Sequence, residues 1–182
     1  MKNIPALDSK VLDLVTEISK EPKVEAAMAF IKDQTEVAMQ EQIELCEIEA
    51  PTFHEEKRAA SVAERMKQYG LTDVHIDEIG NVIGIRKGTG RGPVLAIGAH
   101  MDSVFPAGTD VKVKKEGNIY RAPGIGDNCS GLRALLQVLR AMEKEDIRTV
   151  GDIWFVGTVG EEGNGDIRGS KHLCANNKLD GF

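Results

Sequence analysis

Apolar residues recur at helical spacing in two stretches before residue 70. Between residues 22 and 48 they return mostly every three or four positions, which predicts one long amphipathic helix with Pro22 in its first turn. Ala50-Pro51 ends this helix, because the residue before a proline is disfavoured in the helical region. Thr52, with Glu55 three positions later, has the form of a capping box. A second helix is therefore predicted to run from there to about Tyr69.

After residue 70 the pattern changes to short apolar runs interrupted by one helical stretch. The runs predict strands over 74–76, 82–85, 94–99 and 153–156, and the glycine-rich stretch 87–93 predicts a turn between two strands. The run 94–99 shows no alternation, which predicts a strand covered on both faces. Leucines on one face predict a helix over 130–142. This order of elements predicts an α/β domain with a mixed, largely parallel sheet sandwiched by helices.

The composition is that of a folded domain with an acidic balance. Of 182 residues, 41% are hydrophobic and 29% are charged, which suits one domain with a single core. The 23 basic and 29 acidic residues give a formal charge of -6. No broad cationic face is then available to neutralise phosphates, so nucleic acid is not expected as a partner.

Cysteine usage and the first residues bear on the compartment. Cys46, Cys129 and Cys174 lie far apart and form no CxxC pair, which argues against a disulfide framework and against a cysteine zinc site. The first 15 residues contain no apolar core of a signal peptide, and no segment approaches the length of a membrane span. We expect a cytoplasmic protein with no membrane partner.

The residues with metal-binding chemistry come directly after the apolar runs. His100 follows the run 94–99, Glu161 and Glu162 follow the run that begins at Ile153, and Asp127 lies in a glycine-containing loop before the leucine-rich helix. Ligands of open α/β sheets bind outside the carboxyl ends of the strands, so these side chains are expected to share one rim. Imidazole and carboxylate suit a hydrolytic Zn²⁺ site, and two close metal ions need a bridging carboxylate.

Each of these residues also has a structural interpretation. A histidine at a strand end is more often a satisfied structural residue than a ligand, and Asp127 could be a charge favoured by a helix N-terminus. A Glu-Glu pair is usually a solvated surface. The shared rim, rather than any single residue, favours the metal site.

Other kinds of site fit the same segment less well. Gly124-x-Gly126 lacks the third glycine of a dinucleotide loop, because Cys129 stands there, and Asp127 would repel a pyrophosphate. Asp127 also opposes ionisation of Cys129, which is interpreted as a structural thiol rather than a nucleophile. Ser130 lacks the flanking glycines of a nucleophile elbow and is interpreted as a helix cap.

Three segments resemble the signatures of the M20 metallopeptidases: 98–106, 122–128 and 158–163. Two lesser segments agree, since 49–52 resembles an early loop of the family and 163–169 resembles its tripeptidase-like branch. The resemblance covers most of the chain from about residue 40 onward. The family includes di- and tripeptidases, glutamate carboxypeptidases and amino-acid deacylases with a zinc-exopeptidase-like catalytic domain.

The resemblance implies a role for each candidate residue. His100 would bind one metal ion, Asp127 would bridge two, and Glu162 would bind the second. Glu161 would act as the general base, and Asp102 would hold the second ring nitrogen of His100. Two Zn²⁺ ions are implied, although Co²⁺ or Mn²⁺ would also suit these ligands.

The chain departs from the family pattern in two ways. In the family, a cis peptide bond follows the bridging aspartate, and the next residue is often a second aspartate. In this chain the bridging position is Asp127 and the next residue is Asn128 instead. The family also completes its metal ions with a later acidic residue and a late histidine, and it carries a lid or dimerisation domain, none of which falls within these 182 residues. We therefore expect residues 1–182 to be the N-terminal part of one catalytic domain, with weak metal binding, little turnover and an unfinished sheet edge that favours self-association.

The expected function is that of a metal-dependent hydrolase, an aminopeptidase-like enzyme that cleaves amide bonds of short peptides with a metal-activated water. One alternative is an N-acyl amino-acid deacylase of the same architecture, whose substrate would be an N-acyl amino acid. Another is a non-catalytic binding or assembly scaffold built on a truncated domain.

Overall fold

A computed structural model describes residues 8–182. Its helices are α1 (Ser9–Ser19), α2 (Pro22–Asp33), α3 (Thr35–Cys46), α4 (Glu56–Gln68), α5 (Cys129–Lys144) and α6 (Arg168–Asn176). Its strands are β1 (Asp73–Ile76), β2 (Val82–Arg86), β3 (Leu95–His100), β4 (Lys114–Glu116), β5 (Ile119–Arg121) and β6 (Ile153–Thr158). Within this part of the chain, no helix is both long and apolar enough to cross a bilayer.

Four strands form one mixed sheet in the order β1-β2-β6-β3. The β1–β2 and β2–β6 pairs are antiparallel, and β6–β3 is parallel with Leu95 opposite Ile153 and His100 opposite Thr158. The expected α/β class with a mixed sheet between helices is confirmed, but the sheet is not largely parallel, because among the described strands only β3 and β6 pair in parallel. The short connection between β1 and β2 makes these two strands a hairpin, which is antiparallel. The parallel pairing places the carboxyl ends of β3 and β6 at the same edge of the sheet.

Helices cover both faces of the sheet. One face packs against α4 and α5 through a large buried cluster that includes Val62, Met66, Leu132, Leu136 and Phe155. The other face packs against α6 through a small cluster of Ile83, Ala96, Val156 and Leu173. Each fully buried aliphatic side chain contributes roughly 1.5–3 kcal/mol relative to exposure, so the leucine-rich face of α5 is a main anchor of the sheet.

The prediction of complete burial for residues 94–99 is wrong. Ala96 and Ala99 are buried, but Leu95 is 44% exposed and Ile97 is 38% exposed. The reason is position: β3 is the last strand at one edge of the four-stranded sheet. A run of apolar residues therefore marked a strand correctly without showing that both of its faces are covered.

The predicted long helix over residues 22–48 is two helices. The chain leaves the helical conformation at Gln34, between α2 and α3, where Thr35 donates its hydroxyl to the carbonyl of Lys32. Arg140 of α5 donates to the side chain of Gln34. Both α2 and α3 pack on α5, and the break lets each helix adopt its own direction against α5. Apolar spacing alone does not reveal such a break.

The predicted capping box before α4 does not form. The Thr52 hydroxyl donates to Asp102 Oδ2 over 3.0 Å, and the helix begins at Glu56 without a side-chain cap. Glu55 instead accepts hydrogen bonds from Gly160 and Arg168. The residues that resembled a local cap are used for contacts between distant parts of the chain.

The segment over residues 87–93 connects β2 to β3, as predicted. It lies against the residues that lead into β6, because Thr89 N donates to Thr149 O and Gly90 N donates to Val150 O. At Gly88 a Cβ atom would lie 2.3 Å from the carbonyl oxygen of Val150, so only glycine permits this approach.

Candidate metal centre

Three loops meet at the carboxyl edge shared by β3 and β6. His100 ends β3, Glu161 and Glu162 follow the end of β6 at Thr158, and Asp127 lies just before α5, which packs against β3. His100, Asp127 and Glu162 each offer one ligand atom, and these atoms lie within 4.8 Å of one another. Of the described residues, no other group of three histidine, cysteine or acidic side chains converges in this way. The structure therefore brings together the three residues predicted as metal ligands.

The centre has a buried side and a solvent-facing side. The imidazole of His100 is largely buried, and its Nε2 lies 2.9 Å from Asp127 Oδ1 and 3.9 Å from Glu161 Oε2. The side chains of Asp127 and Glu161 are exposed. A ligand approaching from solvent would meet the carboxylates first, with the imidazole beneath them.

Asp102 connects the histidine to both glutamates. Its buried carboxylate accepts the backbone N–H of Glu161 on Oδ1 over 2.9 Å and that of Glu162 on Oδ2 over 3.0 Å. His100 Nδ1 lies 3.4 Å from Oδ1 and 3.2 Å from the Asp102 carbonyl oxygen. Burial raises the pKa of Asp102, but the hydrogen bonds from His100, the two amides and Thr52 outweigh it and hold the pKa well below its usual range.

The charges around His100 act in the opposite direction to its burial. Burial lowers the pKa of the imidazole, but the hydrogen bond and charge of Asp102, the hydrogen bond to Asp127 and the charge of Glu161 raise it to about 9. Burial raises the pKa of Glu162, as do the neighbouring charges of Asp127 and Glu161. Several acidic groups are thus crowded around one imidazole.

This donor set fits a divalent cation. A metal ion would offset the mutual repulsion of the carboxylates, and histidine nitrogen with carboxylate oxygen is a set that Zn²⁺, Co²⁺ and Mn²⁺ all accept. Asp102 is placed where a metal-bound histidine usually finds a partner for its other ring nitrogen. His100, Asp127 and Glu162 are the described residues that could hold such an ion.

The loop that carries Asp127 is fixed at the start of α5. The Asp127-Asn128 peptide bond is cis, as the family resemblance implied. Asn128 Oδ1 caps the helix by accepting the N–H of Gly131 over 3.1 Å. The expectation that Ser130 is the cap is wrong, because its hydroxyl donates to the carbonyl of Gly126. Cys129 is fully buried, which agrees with its interpretation as a structural thiol.

Arg58 stabilises the loops of the centre, and the sequence pattern did not single it out. Its buried guanidinium donates to the carbonyls of Leu45 over 3.1 Å, Ile48 over 2.5 Å and Met101 over 2.7 Å. It thereby joins the end of α3 to the residue before Asp102. A signal was available: Arg58 stands four positions before Val62, inside the apolar stripe of α4, where a charge is buried only if it is bound.

The ion pair of the buried Glu55 with the half-buried Arg168 was also missed. Arg168 Nη2 donates to both oxygens of Glu55, over 3.0 and 2.9 Å, and Glu55 Oε1 accepts the N–H of Gly160 over 3.0 Å. The two residues are 113 positions apart, and no local pattern connects them.

The remaining histidines lie elsewhere. His75 is near Asp73, at 3.7 Å, and His172 Nε2 is 2.9 Å from Glu78 Oε1. These two histidines and the exposed His54 are not in the group that includes His100.

Comparison with known proteins gives one matching family model, Peptidase family M20/M25/M40, over residues 96–182. The chain is 35% identical over 120 residues to a Pyrococcus abyssi protein named as a LysW-lysine/LysW-ornithine hydrolase, a match that covers 66% of this chain and 32% of that protein. The chain thus spans about a third of the length of this curated relative.

Two solved structures resemble this fold. A tripeptidase (SAV1512) from Staphylococcus aureus is 31% identical with a TM-score of 0.65, over 79% of this chain and 41% of that one. The aminopeptidase PepT from Bacillus cereus is 25% identical with a TM-score of 0.63, over 75% of this chain and 39% of that one.

Proposed function

The chain contains an M20 family peptidase-like domain, and from this premise we propose that it is the N-terminal part of the catalytic domain of a metal-dependent hydrolase that cleaves amide bonds of short peptides. The observation that carries the proposal is the convergence of His100, Asp127 and Glu162 within 4.8 Å. The resemblance to M20 metallopeptidases seen in the sequence is confirmed by the family match and by the solved peptidases.

His100 and Glu162 would each hold one metal ion, and Asp127 would bridge the two. When bound, such a pair of ions lowers the pKa of a coordinated water and polarises the carbonyl of the scissile bond. The exposed position of Asp127 and the buried position of His100 support entry of the substrate from the solvent side.

Glu161 would be the general base. Its carboxylate oxygen lies 3.9 Å from His100 Nε2, beside the ligands rather than among the group of three. In the reaction Glu161 would take a proton from the attacking water while the water oxygen bonds to the carbonyl carbon. When the carbon–nitrogen bond breaks, the same carboxyl group would give that proton to the leaving amine.

Asp102 would position the general base, Glu161, relative to the metal ligands. Its buried carboxylate binds the amides of Glu161 and Glu162 and also faces His100. It would therefore fix the distance between the base, Glu161, and the two ligands His100 and Glu162. Neighbouring side chains in extended backbone point to opposite sides, which supports the division of Glu161 and Glu162 between base and ligand.

The substrate class is proposed from the similarities. The similarity to a tripeptidase and to an aminopeptidase supports a short peptide as the substrate. The Pyrococcus abyssi relative is named for LysW-lysine and LysW-ornithine, so release of an amino acid from an acyl donor, as by an N-acyl amino-acid deacylase, is the second candidate. Assays of the full-length gene product on tripeptides and on N-acyl amino acids would distinguish them.

The metal centre itself is tested by calorimetric titration of the chain with Zn²⁺. We expect Asp127→Ala to weaken binding at least tenfold, because it removes the residue proposed to bridge the two ions. Glu161→Gln is the matched control: it changes an acidic side chain of the same centre that is not a proposed ligand, so binding should stay within about twofold. Equal binding by the wild type and Asp127→Ala would contradict the proposal.

A cytoplasmic location stays a prediction. Fractionation of the source cells, with the chain recovered in the cytosol, is the expected result.

A further inference from the structure

A buried carboxylate and a guanidinium lie directly behind the loop that carries the two glutamates. The Glu55 side chain is only 4% exposed and precedes the first residue of α4. Arg168 begins α6 and donates from Nη2 to both oxygens of Glu55. The pair therefore joins two helices that pack on opposite faces of the sheet.

Both residues of this pair hold the same backbone unit. Glu55 Oε1 accepts the N–H of Gly160 over 3.0 Å, and the backbone N–H of Arg168 donates to the carbonyl of Gly160 over 3.1 Å. Gly160 is the residue immediately before Glu161. Its φ is +59°, and a Cβ atom there would lie 2.5 Å from Arg168 Nε, so the close packing of the guanidinium requires glycine.

The guanidinium is itself fixed from other directions. Arg168 Nη1 donates to the carbonyl of Ile79 over 2.8 Å, and the guanidinium carbon lies 5.2 Å from the centre of the Phe53 ring. A cation over an aromatic face is attracted by the electrons of the ring. Contacts other than the one with Glu55 therefore also hold the guanidinium of Arg168 in its orientation.

Two buried carboxylates together bind three successive amides. Glu55 binds the N–H of Gly160, and Asp102 binds those of Glu161 and Glu162. The segment between the end of β6 at Thr158 and the short 3₁₀ turn at Gly163–Gly165 forms no ladder. Its path therefore depends on side-chain acceptors rather than on regular secondary structure.

We infer that the Glu55–Arg168 ion pair is a positioning device for Glu161 and Glu162, which fixes the backbone so that one carboxylate serves as ligand and the other as base. The inference rests on the proposed function for those two roles. The physical reason is that a buried carboxylate stays charged only with a partner. Without Arg168, Glu55 would lose the guanidinium that holds both of its oxygens and could turn toward water, so it would hold the Gly160 amide less well.

The chain offers a matched control pair remote from the glutamates. Arg86 of β2 is buried, its Nε lies 2.6 Å from Glu143 Oε1, and its Nη2 donates to the carbonyl of Ile147 over 2.5 Å. Arg86 is comparable to Arg168, because each guanidinium binds one carboxylate and one backbone carbonyl. It contacts neither Gly160 nor the residues that follow it.

The test compares Arg168→Gln with Arg86→Gln in two measurements on the folded chain. In Arg168→Gln, hydrogen exchange of the amides of residues 160–162 should become at least tenfold faster, and Zn²⁺ affinity by calorimetry should fall at least tenfold. In Arg86→Gln both should stay within about twofold, whatever its loss of stability. Arg168→Lys keeps the positive charge opposite Glu55, so its exchange rate and Zn²⁺ affinity should lie between those of the wild type and Arg168→Gln. It replaces Arg168→Gln in both measurements if that variant does not fold.

The outcomes separate this inference from the proposed function. Unchanged exchange at residues 160–162 in the Arg168 variants overturns the positioning role, and so does an unchanged Zn²⁺ affinity beside a clear loss in Asp127→Ala. If Asp127→Ala binds as the wild type does, the proposed metal centre fails. Hydrogen exchange then still decides whether the ion pair holds the loop, because that measurement needs no metal.

Discussion

Arg58 shows at the scale of one residue how a buried charge can support a site without touching it. Its guanidinium binds carbonyls at the end of α3 and the carbonyl of Met101, next to Asp102. The bonds to Leu45 and Met101 are buried, and Arg58 is the side chain that connects these two carbonyls. The position of Asp102, and with it the two glutamate amides, therefore depends on a residue that contacts no proposed ligand.

Replacing Arg58 should be costly for this reason. We expect Arg58→Met to lower the free energy of unfolding by about 3 kcal/mol or more, because several buried carbonyls lose their donors while the apolar stem is kept. Lys57→Met at the exposed neighbouring position of α4 is the control and should change stability by less than about 0.5 kcal/mol. Urea denaturation measures both, and a loss below about 1 kcal/mol in Arg58→Met would contradict the role given to these bonds.

The candidate residues were predictable from sequence because each one lies next to an element that the pattern marks. His100, Asp127 and Glu162 come directly after apolar runs or before a leucine-rich helix, and the structure brings them together. Glu55 and Arg168 were not predictable, since their contact joins residues 113 positions apart. The individual roles of Glu161, Glu162 and Asp102 stay predictions.

At the scale of elements, the strength of the apolar pattern decided what could be predicted. The helices α4 and α5 and the strands β2, β3 and β6 have several buried apolar residues each, or a continuous apolar run. In contrast, α6 buries one large apolar residue, Leu173, and β4 has the sequence Lys-Lys-Glu. All residues of β4 are exposed and the strand pairs only with β5 among the described elements, so neither α6 nor β4 presents an apolar run that the sequence pattern could mark.

The junction between β2, β3 and β6 depends on the carboxylate of Asp152. It accepts the N–H of Gly88 on Oδ1 and the ammonium group of Lys87 on Oδ2, each over 2.9 Å. These two bonds, the amide first, lower the pKa of Asp152 from its ordinary value of 3.8. The loop after β2 is thereby attached to the residue before β6.

This lowered pKa predicts how stability should change with pH. A carboxyl group whose pKa is lower in the folded state stabilises the fold at pH values above its ordinary pKa, and this contribution is lost as pH falls through the folded value. Asp152→Asn should therefore lower the free energy of unfolding by about 1 kcal/mol at pH 7, with the difference shrinking below pH 4. Urea unfolding between pH 7 and pH 3 measures it, and Asp110→Asn, at an exposed aspartate, is the control. A constant difference would contradict the assignment.

At the scale of the whole molecule, the exposed apolar surface is unevenly distributed. All residues of α1 are exposed, including Val11, Leu14 and Val15. At the edge of the sheet, Leu95 and Ile97 of β3 are partly exposed. Hydrogen bonds from Asp180 to Val94 and from Ala96 to Gly181 cover only the start of the outer side of that strand, and no described backbone hydrogen bond continues along it beyond Ala96. A flat apolar edge with free backbone groups is a template for pairing with another chain.

We therefore predict that the chain self-associates through the β3 edge. Sedimentation velocity should show a weight-average coefficient that rises with concentration, and Ile97→Lys should abolish most of that rise, because a lysine on an edge strand opposes pairing. Val150→Lys is the control, since Val150 is exposed but lies in the loop before β6, and it should behave as the wild type. A clean monomer over a wide concentration range would refute self-association, and equal effects of both lysines would show that general apolar exposure, rather than the strand edge, drives it.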